Sequence, residues 1–162
     1  EEMQTALKTF TSAGGNVLIS GAYIGTDVWD GIYPVQTDSL FREQTKKFAK
    51  DVLGYRWAAT SASKKGAVRY ARNEIIQPIS GEFTICNEIN SEKYSVESPD
   101  GISPSSSKGK TIMRYTDSGI SAGICHEGRN YRTICLGFPI EALESEKDIN
   151  QIIRTTLQFF NR

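Results

Sequence analysis

Two glycines frame a tyrosine directly after a short apolar run, in the order Gly21, Ala22, Tyr23, Ile24, Gly25. Small residues on both sides of a central position allow a sharp turn from a strand into a helix, and this turn exposes the central side chain above the sheet edge. Enzymes place a nucleophile, usually Ser or Cys, at such an elbow. The pattern therefore predicts a degenerate elbow at Gly21, Tyr23 and Gly25, with a tyrosine where the nucleophile would stand.

Tyr23 is the first candidate catalytic residue. A phenol forms covalent intermediates in some glycosidases, but it needs a nearby cation or base to act as a nucleophile or general acid. The alternative is an exposed aromatic side chain that covers the end of the sheet or stacks on a ligand. The groups within hydrogen-bonding distance of the Tyr23 hydroxyl decide between these alternatives.

Acidic and aromatic residues follow the elbow, and one further acid lies near the end of the chain. Asp27, Asp30 and Glu141 are candidates for the paired carboxylates that glycoside hydrolysis uses. Trp29 and Tyr33 share the loop after the elbow and offer rings of the kind that stack on sugars. These loop residues are candidate cleft or ligand-binding residues, although surface acids and core aromatics are the commoner roles of such side chains.

The chain contains one histidine, His126, and three cysteines. His126 lies at the tip of a predicted hairpin, where we expect an exposed turn, and its neighbour Cys125 points to the opposite face of the strand. Cys125 and Cys135 lie on consecutive predicted strands, so they form either a cross-strand disulfide or two separate buried thiols. The cysteine spacings lack the pattern of zinc ligands, and we expect no metal and no other cofactor.

The composition fits one globular domain. Of the 162 residues, 38% are hydrophobic, and 19 basic residues balance 19 acidic ones. The balanced charge predicts no nucleic-acid partner, and no apolar run approaches the roughly 20 residues of a transmembrane helix. The chain enters directly into helical spacing without an initiator methionine. We therefore expect a C-terminal piece of a longer multidomain protein, whose sheet has further strands on the N-terminal side.

Hydrophobic periodicity predicts the elements that position these residues. Helices are expected over residues 1–13, 38–53 and 146–161. Strands are expected at residues 17–20, 67–71, 81–86, 110–115, 121–125 and 131–136. Gly54 is placed to end the second helix, and Ser145 begins a capping box for the last. The Pro- and Ser-rich residues 98–109 are expected to form a surface loop. The predicted fold is α/β with three layers, and its sheet is mostly parallel with antiparallel strands between residues 81 and 136.

In four segments the chain resembles the class I glutamine amidotransferase-like, flavodoxin-like superfamily: residues 14–25, 52–57, 114–115 with 121–122, and 136–141. More narrowly, it looks like a domain near the C-terminus of secreted xanthan-lyase-like proteins of Bacteroidetes. The resemblance implies a cysteine at the elbow and a His-Pro-Glu arrangement after a late strand. Tyr23 stands at the cysteine position and Phe138 in the histidine region, so only Glu141 remains of the implied catalytic groups.

We therefore expect a non-catalytic, degenerate amidotransferase-like domain in a secreted, periplasmic or cell-surface protein. Its expected partners are other domains of the same polypeptide and, as an alternative, a glycan. Two further hypotheses stay open: a hydrolase or lyase that acts on a glycan or cell-wall polymer, and a glycan-binding module. Fold alone does not decide between them.

Overall fold

The structure is a computed structural model, and it describes residues 2–29, 39–76, 81–89 and 92–162. The helices are α1 (Glu2–Ser12), α2 (Thr26–Trp29), α3 (Ser39–Phe48) and α4 (Glu146–Phe160). A π-helix, Ala49–Leu53, continues α3, and a short 3-10 helix spans Ile140–Ala142. The strands are β1 (Val17–Ser20), β2 (Tyr55–Ala59), β3 (Ala67–Tyr70), β4 (Glu82–Thr84), β5 (Gly101–Pro104), β6 (Gly109–Tyr115), β7 (Ser121–Glu127) and β8 (Arg132–Leu136).

Local sequence signals predicted several of these boundaries correctly. The strand expected at residues 17–20 is confirmed as β1. Gly54 ends the second helical segment in the left-handed conformation with φ 84°, where glycine is favoured because it has no Cβ. Ser145 caps α4, since its hydroxyl accepts a hydrogen bond from the Asp148 amide at 3.4 Å. These signals succeed because each depends on residues close together in the chain.

The main sheet has six strands in the order β1-β8-β7-β6-β3-β4. Only β1 and β8 run parallel, and every other neighbouring pair in this sheet is antiparallel. The fold is therefore mixed α/β, and the expectation of a mostly parallel sheet is wrong. Short connections join β6 to β7 and β7 to β8, and hairpins of this length can only pair antiparallel strands.

The expectation of a surface loop at residues 98–109 is also wrong. β5 lies inside this segment and pairs with β2 in a separate two-stranded antiparallel sheet. Asp100, Gly101 and Ile102 are buried. Ser103 and Pro104 belong to this strand, and a strand of four residues offers very few positions for hydrophobic alternation, so periodicity does not detect it.

Hydrophobic side chains fill both faces of the main sheet. Ile134 and Leu136 of β8 belong to the cluster that contains Ile152 and Phe159 of α4. Cys135, between them, belongs to a second cluster with Phe48 of α3 and Ile102 of β5. The alternation along β8 therefore directs successive side chains toward α4 on one face and toward α3 and the small sheet on the other. Among the described helices, none is long and apolar enough to cross a membrane.

Candidate functional site

The segment from β1 to α2 forms a sharp turn around Tyr23. Tyr23 has a positive φ of 64°, a conformation that is uncommon for residues other than glycine. The Tyr23 carbonyl accepts a hydrogen bond from the Asp27 amide at 3.0 Å, which closes the turn into α2. The side chain is 40% exposed. Tyr23 thus has the backbone strain and the exposure of a residue at an elbow.

No hydrogen bond of the Tyr23 hydroxyl to another residue occurs in the described part of the chain. A phenol without a neighbouring base or cation is a poor nucleophile at neutral pH. The Tyr23 hydroxyl therefore has no hydrogen-bonded base or cation among the described residues.

The buried carboxylate of Asp100 accepts hydrogen bonds from residues at the end of the elbow. Its Oδ2 accepts hydrogen bonds from the backbone N–H groups of Gly25 at 2.6 Å and Thr26 at 2.8 Å, and its Oδ1 accepts from the Thr26 hydroxyl. The Trp57 indole N–H donates to the same Thr26 hydroxyl oxygen at 3.1 Å. Burial raises the pKa of Asp100, and the hydrogen bonds from Thr26 and Gly25 oppose that rise. Asp100 therefore serves to fix the start of α2, where orphan amide groups need acceptors.

The backbone of Asp100 also joins the elbow to the end of β8. Its amide donates to the Gly137 carbonyl at 2.6 Å, and the Tyr115 hydroxyl donates to the carbonyls of Asp100 at 2.9 Å and Gly137 at 3.2 Å. A Cβ at position 137 would lie 2.0 Å from the Asp100 carbonyl oxygen. Glycine is therefore required at 137 for the two segments to approach so closely.

Sequence reasoning missed Asp100, Tyr115 and Gly137 as members of this site. The Asp100 carboxylate contacts residues 74 and 75 positions earlier in the chain, so no local pattern reports the contact. The sequence Pro99-Asp100-Gly101 is instead typical of a turn. A buried acid inside a segment that is otherwise typical of a loop is visible only after the chain has folded.

Glu141 lies near the same edge of the sheet as Tyr23. The Gly21 amide donates to the Leu136 carbonyl at 3.2 Å, and the Ile140 amide donates to the Ser20 hydroxyl at 3.4 Å, so the chain leaves β1 and β8 side by side. The exposed Glu141 carboxylate accepts a hydrogen bond from the Tyr94 hydroxyl at 2.9 Å. Partial burial and the Glu141 carboxylate raise the pKa of Tyr94 to about 12. The described contacts of Glu141 thus include a tyrosine and no imidazole.

Phe138 occupies the region where the resemblance implies a histidine. Its side chain is fully buried, and its ring centroid lies 6.5 Å from that of Tyr115 in an edge-to-face arrangement. Phe138 therefore belongs to the core that supports the site.

The structure separates the candidate residues of the following loop. Asp27 is exposed, whereas Trp29 is half-buried with its ring centroid 5.9 Å from that of Tyr55. The Tyr55 hydroxyl donates to the Ile24 carbonyl at 2.7 Å, so this aromatic pair supports the elbow. Asp30 and Tyr33 lie outside the described residues. Of the aromatic platforms expected in this loop, Trp29 packs against the fold.

His126 is buried, and the expectation that it lies in an exposed turn is wrong. It is part of β7, its side chain is only 5% exposed, and its Nδ1 has no hydrogen-bond partner in the described structure. A Cβ at Gly54 would lie 2.3 Å from the imidazole ring, which shows how closely His126 packs against the end of the π-helix. Burial, with a contribution from Lys108, lowers the pKa of His126.

The disulfide alternative for Cys125 and Cys135 is also wrong. Both cysteines are free and buried. Cys125 pairs in register with Ile134, and Cys135 pairs with Ile124, so the two thiols are not opposite each other. They lie in the clusters on opposite faces of the sheet. Burial raises the pKa of Cys125 to about 11 and also raises that of Cys135, which disfavours the reactive thiolate.

Within the described ranges, no group of His, Cys, Asp and Glu side chains has an arrangement that could hold a metal ion. No protein-family model matches this chain, and no curated protein matches it in sequence. The interpretation of the site therefore depends on its own geometry.

Proposed function

We propose that this chain is a non-catalytic, degenerate amidotransferase-like domain that serves a secreted or cell-surface multidomain protein as an accessory or interaction module. One observation carries the proposal: Tyr23 combines a positive φ of 64° with a hydroxyl that has no hydrogen-bond partner among the described residues. An elbow keeps its strained conformation only when the surrounding structure holds it. This turn has the strained conformation, and the Tyr23 hydroxyl has no hydrogen-bonded base or cation among the described residues to activate it, which supports the proposal.

The carboxylates near the elbow have other roles. Asp100 accepts three hydrogen bonds from Gly25 and Thr26, and Glu141 accepts one from Tyr94. A general base must reach the proton that it removes, and a buried acid that already caps a helix is poorly suited to that task. These contacts support a structural use of both carboxylates.

We also propose that the mixed α/β fold is, more narrowly, flavodoxin-like. It is supported by the parallel pair β1 and β8, by the turn at the carboxyl end of β1, and by α3 and α4 on opposite faces of the sheet. The antiparallel strands β7, β6, β3 and β4 would then be an extension of the parallel part.

Turnover assays test the absence of catalysis. We expect the wild-type protein and Tyr23→Phe to release no ammonia from glutamine and to cleave no acidic or neutral polysaccharide. Turnover by the wild-type protein that is lost in Tyr23→Phe would contradict the proposal and favour a hydrolase or lyase. Leu157→Ala is a suitable control, because Leu157 is an exposed apolar residue of α4. The C-terminal end of α4 lies near the start of β1, whereas Tyr23 follows the other end of that strand.

A glycan-binding module is the second candidate, and one observation favours it. Tyr23 is 40% exposed and Tyr94 is 51% exposed, and both belong to segments near the edge from which β1 and β8 emerge. Exposed tyrosines beside a carboxylate can stack on sugar rings and accept hydrogen bonds from hydroxyl groups. Titration of neutral and acidic oligosaccharides, followed by intrinsic fluorescence, tests this function. Saturable binding that is lost in Tyr23→Ala and kept in Leu157→Ala would support it.

A further inference from the structure

A cavity of about 660 Å³ lies beside the end of β3 and the start of β6. In the main sheet, β7 and β8 separate β6 from β1, whose end carries the elbow with Tyr23. The lining of this cavity includes one carboxylate residue, Glu74, and four cationic residues: Arg69, Arg72, Lys110 and Arg114. We call this cavity the basic cleft. Its charge is not visible in the balanced composition of the chain, because composition does not report how charges are distributed.

The two arginines on the strands of the basic cleft are direct cross-strand neighbours. Arg69 of β3 pairs in register with Arg114 of β6, and Glu82 of β4 is the neighbour of Arg69 on the other side. Like charges directly opposite each other on antiparallel strands destabilise a sheet. No ion pair joins Arg69 to Glu82 within 4.0 Å, and none of the four cations forms an ion pair within the described ranges. The two guanidinium groups therefore repel each other, and a bound anion would offset that repulsion.

Hydrogen bonds hold the rim of the basic cleft in place. The Asn73 side-chain oxygen accepts from the amides of Ile75 at 2.9 Å and Ile76 at 2.7 Å, and its Nδ2 donates to the Ala71 carbonyl at 2.9 Å. These bonds fix the segment that contains Arg72 after it leaves β3. One guanidinium N–H of Arg114 donates to the Gly119 carbonyl at 2.9 Å, which orients the guanidinium. A preorganised rim reduces the entropy lost when a ligand binds.

We propose that the basic cleft binds a ligand with two or more oxyanion groups, that is, phosphate, sulfate or carboxylate groups. Guanidinium groups present planar pairs of donors that match such oxyanions, and the ammonium group of Lys110 adds a compact positive charge. The cavity volume is in the range of small-ligand sites. The lining of the basic cleft includes none of the elbow residues, so this proposal does not depend on the function proposed for Tyr23.

Titration with three probes tests the basic cleft and distinguishes the anionic groups: inorganic pyrophosphate, a sulfated disaccharide and trigalacturonate. At low ionic strength, we expect calorimetry to detect saturable binding of at least one probe. Added salt should weaken that binding, since exposed charges are screened. Arg69→Gln combined with Arg114→Gln should raise the Kd by roughly tenfold or more, because each arginine supplies a charge-assisted contact. Lys110→Gln provides a second, single-residue variant with a smaller expected loss.

The matched control removes two charges elsewhere. Lys64 and Lys65 are exposed, and their backbone amides donate to the Asp117 carboxylate. Lys64→Gln combined with Lys65→Gln removes as much charge as the double arginine variant, but it keeps the contacts of the basic cleft. It should leave the Kd within about twofold of the wild-type value, whereas nonspecific attraction, which depends on total charge, would weaken equally in both variants. The proposal is overturned if no probe binds in the millimolar range, if the cleft variants bind as tightly as the wild type, or if the control loses as much affinity as the cleft variants.

Discussion

The carboxylate of Asp100 accepts a hydrogen bond from the backbone amide of Thr26 at 2.8 Å, across 74 residues of sequence. This contact fixes the first turn of α2 and, through it, the conformation of the elbow. Because Asp100 is fully buried, its unpaired oxygens would have no access to water if the contact were lost. The stability of the elbow therefore depends on a residue that is distant in the chain.

Asp100→Asn should destabilise the protein by about 2–3 kcal/mol, because an amide group replaces one carboxylate acceptor of a buried network. Urea denaturation monitored by circular dichroism measures the change in the free energy of unfolding. Asp117→Asn is the matched control. The Asp117 carboxylate also accepts from two backbone amides, those of Lys64 and Lys65, but it is exposed. We expect a clearly smaller loss for Asp117→Asn, and equal losses would contradict the role assigned to burial.

Gly137→Ala should destabilise the protein strongly, by about 3 kcal/mol or more, because the added Cβ has no room and the neighbour is backbone. The Asp100 carbonyl oxygen lies 2.0 Å from the position of that Cβ. Thermal denaturation provides the measurement. At Gly21, the nearest atom to an added Cβ is the Ile24 Cγ2 at 3.1 Å, which belongs to a side chain that can shift. Gly21→Ala should therefore be milder, and the reverse order would show that the contact between Asp100 and Gly137 is not tight.

His126 should make stability depend on pH in the weakly acidic range. Burial and Lys108 lower its pKa in the folded state, while Glu127 opposes this effect, so the fold favours the neutral imidazole. For a base whose pKa is lowered by folding, the unfolded state binds more protons in the pH interval between the two pKa values. The stability is therefore highest above the unfolded-state pKa and decreases as pH falls from the unfolded-state pKa toward the folded-state pKa. The midpoint of urea denaturation should therefore decrease between about pH 7 and pH 5.5.

The single imidazole provides a direct measurement of this effect, because its proton resonances have no counterpart from another histidine. We expect NMR titration to give a pKa below the ordinary value for histidine. In His126→Gln, the difference in stability between the two pH values should shrink. A pKa above the ordinary value, or an unchanged pH dependence in the variant, would contradict the buried neutral state.

Thiol labelling tests the environments of the cysteines and the elbow together. Because Cys86, Cys125 and Cys135 are buried thiols, a thiol reagent should react slowly with the native protein and should label all three after denaturation without prior reduction. Tyr23→Cys adds a thiol at the exposed elbow position and should react rapidly in the native state. Rapid labelling of the wild-type protein, or fewer than three thiols in the denatured protein, would contradict these assignments.

The sequence by itself determined the elements whose signals are local. The amphipathic stripe and the Ser145 cap predicted α4, the apolar run after Gly15 predicted β1, and the glycines around Tyr23 predicted a tight turn. Each signal depends on neighbouring residues, because helix periodicity, capping and turn conformation involve contacts within a few positions.

Only the tertiary structure decided which strands pair and which side chains meet. The order of the six-stranded sheet, the burial of His126 and the opposite faces of Cys125 and Cys135 all follow from register between strands. The bonds from Asp100 to the elbow and the pairing of Arg69 with Arg114 join residues that are far apart in sequence. Composition and periodicity carry little information about such contacts, because many pairings satisfy the same local pattern and the packing of the whole chain selects one.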